Sequence, residues 1–484
     1  MSSSNNNTSS RLEYLKSLPS IRERCSKVFE LARQDKLQFW SIHESVLPAI
    51  VDYCFYLIQR DFGSDYKSIP PHGRWRHFLA NGRDRISPFL KDWSADPSVD
   101  PLEVSRRLVD LFVVAVLMDA GAGDEWTFVE PVEDCASTSD NTNVAINQGI
   151  GRSEGLAIGT LHAFKNGVFS SDPQNPHQVD ATSLKSLTTD KVAQFMQSTP
   201  SNQMVGLDGR AELLKNLGNL LLSPDNRYFV SETTGGKQRP GNLIDYLMSN
   251  PLVKPIPRPV MRGEIIVPIE LLWEAIIDEK QGLGSIWPKE GREPIDGKFI
   301  GDVWTCEALK NFISEKDAQV PFHKLSQWLT YSLIEVIEKT LDWKVTGKEH
   351  MTGLPEYRNG GLLIDFEYIQ PKPLGFVSSL SLPESALNSF DLIGSIPPLP
   401  ASHPAIIEWR ALTVIGLDNI KKAINLKIKT PGSSPDEGSD ILSLPQILEA
   451  ATWKGGREIA KTKRSVDGKS AGPPIKVISD GTIF

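Results

Sequence analysis

The sequence lacks the features that mark several large classes of protein. Its four cysteines, Cys25, Cys54, Cys135 and Cys306, stand far apart with no Cys-x-x-Cys pair, which excludes a disulfide-stapled or zinc-ribbon scaffold. No apolar run approaches the ~20 residues of a membrane-spanning helix. The longest, Leu111 to Met118, ends at Asp119. Basic residues are not in excess: 52 Lys+Arg against 60 Asp+Glu gives a net charge of −8, which works against a broad nucleic-acid-binding surface. Residues Met1 to Ser10 are almost all Ser and Asn, with no apolar h-region and no Arg-rich transit character. A cytoplasmic protein with reduced thiols, no membrane partner and no nucleic-acid partner is expected.

Motifs for common cofactors and hydrolases are missing as well. The eight histidines include no His-Glu-x-x-His, and His72 and His77 are five apart where two helical metal ligands prefer four. There is no Gly-x-Ser-x-Gly elbow. Asp119-Ala-Gly-Ala-Gly follows an apolar run, but the third glycine of a dinucleotide loop is replaced by Trp126. Gly235-Gly236-Lys237 lacks the upstream glycine of a P-loop and is followed by Gln. No metal ligand and no cofactor is assigned.

What is present is helical periodicity. Apolar residues at i, i+3, i+4 and i+7 predict helices over His43–Phe62, Leu102–Met118, Ala211–Leu221, Leu271–Ile277, Val320–Leu341 and Ala405–Leu426. Strand patterns are short: Arg227–Val230, Glu264–Pro268 and Leu362–Tyr368. The expected fold is mainly α, or α+β with a minor sheet. Pro and Gly cluster between the helices as punctuation. Cys135–Gln148 and Thr430–Asp440 read as surface loops, and Lys461–Pro474 as a basic, flexible segment.

One constellation carries chemical information. Lys324, Gln327 and Tyr331 fall at i, i+3 and i+7 of the helix that begins in Pro321-Phe-His-Lys, so they share a face; a solvated face is the competing reading. Some thirty residues on, Glu356-Tyr357-Arg358 sits between Pro355 and Gly360-Gly361 on a turn-rich segment of the kind that carries function, or forms an ordinary turn. Glu408-Trp-Arg410 lies inside an apolar helix, and each of these charged residues needs a partner elsewhere.

With these segments in hand, the chain resembles the fungal and bacterial uracil-catabolism family first described as a domain of unknown function. The resemblance runs from about residue 35 to the last helices. It rests on Pro71-His-Gly-Arg-Trp-Arg-His-Phe, Gly82-Arg-Asp-Arg85, Asp119-Ala-Gly-Ala-Gly with Trp126, Gly151-Arg-Ser-Glu-Gly155, Gly206-Leu-Asp-Gly-Arg210, Arg239-Pro-Gly241, Pro321-Phe-His-Lys324 and Leu354-Pro-Glu-Tyr-Arg-Asn-Gly-Gly361. His72-Gly-Arg stands where the family usually has His-Ser-Arg. The chain is more distantly similar to queuosine-salvage N-glycosidases, in Lys324-Leu-Ser-Gln327, Pro355-Glu-Tyr-Arg358 and Glu408-Trp-Arg410, with Glu in place of that family's catalytic Asp.

These resemblances imply one large, DNA-glycosylase-like helical domain over residues 21–460, flanked by flexible tails 1–20 and 461–484. They imply an N-ribosyl hydrolase of uracil breakdown that releases urea from ribosylurea or its 5′-phosphate. The catalytic pair would be Glu356, stabilising an oxocarbenium-like transition state, and Lys324. Asp119 and Glu154 would hold the ureido group, and Lys324, Arg358 and His323 a ribose phosphate. Trp126, Ser153, Gln327, Tyr357, Glu408 and Arg410 complete the implied substrate-binding set. A hydrolase of the ureido carbonyl and a non-catalytic scaffold are the alternatives. The partner is a small ribosyl-ureido molecule, and no oligomeric state is assigned.

Overall fold

The computed structural model describes residues 11–119, 121–123, 125–131, 149–255, 265–429, 440–464 and 472–478. The loop Cys135–Gln148, the thiol of Cys135 and most of Thr430–Asp440 lie outside the described residues. Cys25, Cys54 and Cys306 are free and buried.

The fold is mainly helical. Four helices form its frame: Leu18–Arg33, Pro101–Leu117, Lys324–Leu341 and Pro404–Ile428. In Pro101–Leu117 all but four residues are buried, because Val, Leu and Phe occupy every side of it rather than one stripe. It packs against Lys324–Leu341, while Pro404–Ile428 packs against Leu18–Arg33. Strands among the described residues are two to four residues long. They form pairs such as Trp40–Ile42 with Ile369–Pro371, and one three-stranded sheet.

The helices expected from periodicity occur, shifted by a few residues: Leu47–Phe62, Pro101–Leu117, Leu207–Leu221, Ile269–Ile277, Lys324–Leu341 and Pro404–Ile428. Two strand expectations fail. Leu362–Tyr368 is mostly the end of a helix, Tyr357–Asp365, because Glu356 caps its first turn. Arg227–Val230 pairs with no strand; Asn226 accepts the Phe229 N–H, and the Phe229 carbonyl accepts from the Asn242 side chain and the Arg239 N–H.

The described parts of both expected tails, residues 11–20, 461–464 and 472–478, include helix and strand. Residues 11–16 are helical and bury Leu12 and Leu15 against Ile295, Ile300 and Val303, and the next helix starts at Leu18. At the other end, Trp453–Lys463 is helical and Arg464 pairs with Asp365 at 3.0 Å. The chain then returns: Ile475 is buried, and Val477–Ile478 pairs in parallel with Leu399–Pro400. A run of small and basic residues hides this, since its few apolar side chains are placed by distant partners.

Candidate functional site

The Lys324–Leu341 helix is aimed by a buried ion pair. His323 precedes it in the left-handed region at φ 46°, and the Lys324 N–H donates to Asp302 Oδ2 at 3.0 Å. Arg410 grips the same carboxylate with both terminal nitrogens, at 2.7 and 2.6 Å, and Trp304 Nε1–H donates to it at 2.7 Å. Burial pushes the Asp302 carboxyl up, but Arg410 outweighs that and holds it far below the usual range. His323 Nε2 lies 2.9 Å from the Leu15 carbonyl, tying this corner to the N-terminal helix.

Gln327 and Tyr331 then fix the next segment. Gln327 Nε2 donates to the Phe322 carbonyl and to Thr352 Oγ1, while its Oε1 accepts the Thr352 N–H at 2.8 Å. The Tyr331 hydroxyl donates to the Thr352 carbonyl at 3.1 Å. Four residues later Glu356 is the N-cap of Tyr357–Asp365: its oxygens accept the N–H groups of Arg358 (2.8 Å) and Asn359 (2.6 Å). The carboxylate is thus locked in orientation.

Lys324, Glu356, Tyr357 and Arg358 line one cavity of about 400 Å³, together with Asp119 and Ser153. Lys324 and Glu356 share a dehydrated charge environment. Burial pushes the Lys324 ammonium down, against the pull of Glu356 and Asp119. Burial also pushes the Glu356 carboxyl up, against Arg358, two backbone N–H donors and Lys324.

Asp119 is placed by Arg74, fully buried behind it. Arg74 pairs with Asp119 at 3.2 Å and donates to the carbonyls of Ala115 and Ser153. One guanidinium therefore ties the end of the Pro101–Leu117 helix to the start of the Arg152–Lys165 helix.

Several wall residues were not singled out as site candidates: His72, Arg76, His77, Arg152, Trp328 and Trp453. Glu449, on a π-helical turn spanning Leu448–Thr452, accepts from His72 Nδ1 at 2.8 Å and pairs with Arg76 Nε at 2.6 Å. Such turns recur at functional sites. Burial keeps His72 and His77 below the usual histidine range, so both rings are neutral near pH 7. The guanidiniums of Arg76 and Arg358 lie 4.1 and 3.9 Å from the centre of the Trp453 ring. His72, Arg76 and His77 belong to the Pro71–Phe78 segment quoted above, so their signal was the motif itself.

The other candidates lie elsewhere. Trp126 is buried and donates to the Met196 carbonyl at 2.9 Å. Glu408 accepts the Phe39 and Gln38 N–H groups at 3.1 and 3.3 Å, and Arg410 is held by Asp302. His323 and Gln327 are buried in the bonds described above. Glu154 stands behind the wall, paired with Arg457 at 3.2 Å; burial raises its carboxyl, but Arg457, Arg76 and Arg358 outweigh this and leave it below its usual value. None of these residues is part of the cavity lining.

Among the described residues no group of three His, Cys, Asp or Glu side chains is arranged to hold a metal ion, and no helix is long and apolar enough to cross a membrane. The fold and cavity define a mainly helical protein with an arginine-rich pocket whose wall also carries Lys324, Glu356 and Asp119. Residues 14–484 match the family described as protein of unknown function (DUF1688), and the chain belongs to that family. It is 36% identical over 479 residues to uracil catabolism protein 4 of Lachancea kluyveri, covering 98% of this chain and 99% of that protein. It is 35% identical over 472 residues to protein urg3 of Schizosaccharomyces pombe, covering 97% and 98%.

Proposed function

We propose that the chain takes part in uracil catabolism, as the name of its Lachancea relative suggests, and that it is an N-ribosyl hydrolase releasing urea from a ribosyl-ureido compound. The observation that carries the reading is the convergence of Lys324, Glu356 and Arg358 with Asp119 on one cavity. At about 400 Å³ the cavity is of the size of small-molecule sites.

Cleavage of the glycosidic C–N bond develops positive charge on the sugar. Glu356, dehydrated and fixed by two backbone N–H groups, is suited to stabilise that charge or to receive a proton from the attacking water. Lys324 is a cation whose proton burial has loosened, and so a donor for the departing urea. Asp119 is an acceptor for ureido N–H groups. Incubating the purified protein with ribosylurea and with its 5′-phosphate should release free urea from at least one of them. Release of ammonia or carbamate instead would favour a hydrolase of the ureido carbonyl, and no turnover of either would defeat the enzymatic reading.

A further inference from the structure

We infer that the end of the cavity formed by Arg152, Ser153 and Arg358 is a phosphoryl subsite, so that the ligand is a sugar phosphate monoester and not the free riboside. The inference rests on the glycosidase reading for the sugar, but not for the anion.

Two independent observations meet there. The Arg152–Lys165 helix, fourteen residues long, has Gly151 as its N-cap, which offers no side chain to the first turn; Glu154 is the one acidic residue on that turn. Its first two residues, Arg152 and Ser153, line the cavity. Open N–H groups and the helix dipole at such a terminus favour an anion. Arg358, 5% exposed, lines the same cavity and holds a buried Nη1 with no hydrogen-bond partner.

The neighbouring carboxylates are committed elsewhere. Glu356 accepts two backbone N–H groups, and Glu154 pairs with Arg457. In the adjoining recess, which Arg152 and Arg358 also line, Arg464 is paired with Asp365. Glu356 and Glu154 act on Arg358 through their charge, but neither makes a hydrogen bond to its Nη1.

The donor geometry selects the class of anion. Backbone N–H groups at a helix start, a planar guanidinium fork and further cations at Arg76 and Lys324 approach one space from different elements. A tetrahedral phosphate presents oxygens in several directions and can accept from all of them, whereas a planar carboxylate cannot. Asp119 and Glu356 remain for the uncharged sugar and ureido portion.

Direct binding to the full-length protein tests this. D-ribose, D-ribose 5-phosphate and inorganic phosphate are titrated by calorimetry at fixed ionic strength. The expected result is binding of ribose 5-phosphate at least about tenfold tighter than ribose or inorganic phosphate. That preference should fall at least about tenfold in Arg358→Met and in Arg152→Ala, the second variant serving if the first does not fold. Equal affinity for ribose and ribose 5-phosphate in the unaltered protein overturns the inference. So does a preference that survives Arg152→Ala unchanged, and inorganic phosphate binding as tightly as the sugar phosphate overturns the sugar assignment. Urea release that is equally efficient from ribosylurea and its 5′-phosphate removes the phosphoryl subsite and leaves the glycosidase reading. Tight ribose 5-phosphate binding without any urea release does the reverse.

Discussion

Replacing Glu356 by asparagine separates two roles that the same carboxylate fills. As N-cap it accepts two backbone N–H groups, at 2.8 and 2.6 Å, and asparagine is as good a cap as an acidic residue. Loss of the cap alone, as in Glu356→Ala, costs about 1 kcal/mol. Loss of the charge leaves Lys324 and Arg358 short of a buried counter-charge, a cost of about 1–3 kcal/mol. Both terms are small for a chain of this size, so Glu356→Asn should remain folded with a melting temperature a few degrees lower. Its chemistry should suffer far more: removing one preorganised charge from a transition state costs about 10²–10³ in rate. The assay is urea release alongside a thermal melt of the wild type, Glu356→Asn and Glu356→Ala. Activity of the asparagine variant within about threefold of wild type would mean that Glu356 is a helix cap and nothing more, because no rate effect of the size expected from transition-state charge would be present.

Other consequences follow from the buried charges. Glu408 is raised to about 7 by burial, against its bonds from the Phe39 and Gln38 N–H groups. A carboxyl raised on folding contributes stability in full below its unfolded pKa and loses it as pH rises through the folded one. This contribution of about 3 kcal/mol is therefore lost between about pH 4.5 and 7. Glu408→Gln should gain stability relative to wild type on going from pH 5 to pH 8; parallel melting curves at the two pH values would refute this. Arg410→Met, which strands the buried Asp302 carboxylate, should destabilise by about 3–5 kcal/mol in denaturant unfolding. Asp302→Asn added to it should recover part of the loss, and a single variant as stable as wild type would contradict the pairing. Trp453→Ala removes the ring against which Arg76 and Arg358 lie and should cost about 3–5 kcal/mol, with Trp453→Phe much milder. Equal unfolding midpoints for the two variants would speak against that packing.

The legible parts of the chain were those with local causes. The helix containing Lys324 and the helix over Pro404–Ile428 announce themselves by apolar spacing. The Glu356–Arg358 segment stood out as charged residues between Pro and Gly. What stayed hidden depends on partners far along the chain. Arg410 reads as a binding residue until Asp302 is found beside it, and His72 reads as an isolated histidine until Glu449 is found at 2.8 Å. Gln327 and Tyr331 share a face with Lys324 as the spacing required. Only the packing of the Thr352 loop reveals that they clamp backbone while Lys324 lines the cavity. The strand expectation at Leu362–Tyr368 failed for the same kind of reason: its apolar residues suit either element, and the capping carboxylate at Glu356 decides for helix.

The most direct test of the central claim is the destination of oxygen from labelled water. If Glu356 and Lys324 serve glycosidic cleavage, turnover of ribosylurea 5′-phosphate in H₂¹⁸O should release intact urea that carries no label. Labelled carbonate or carbamate in place of urea would contradict the account.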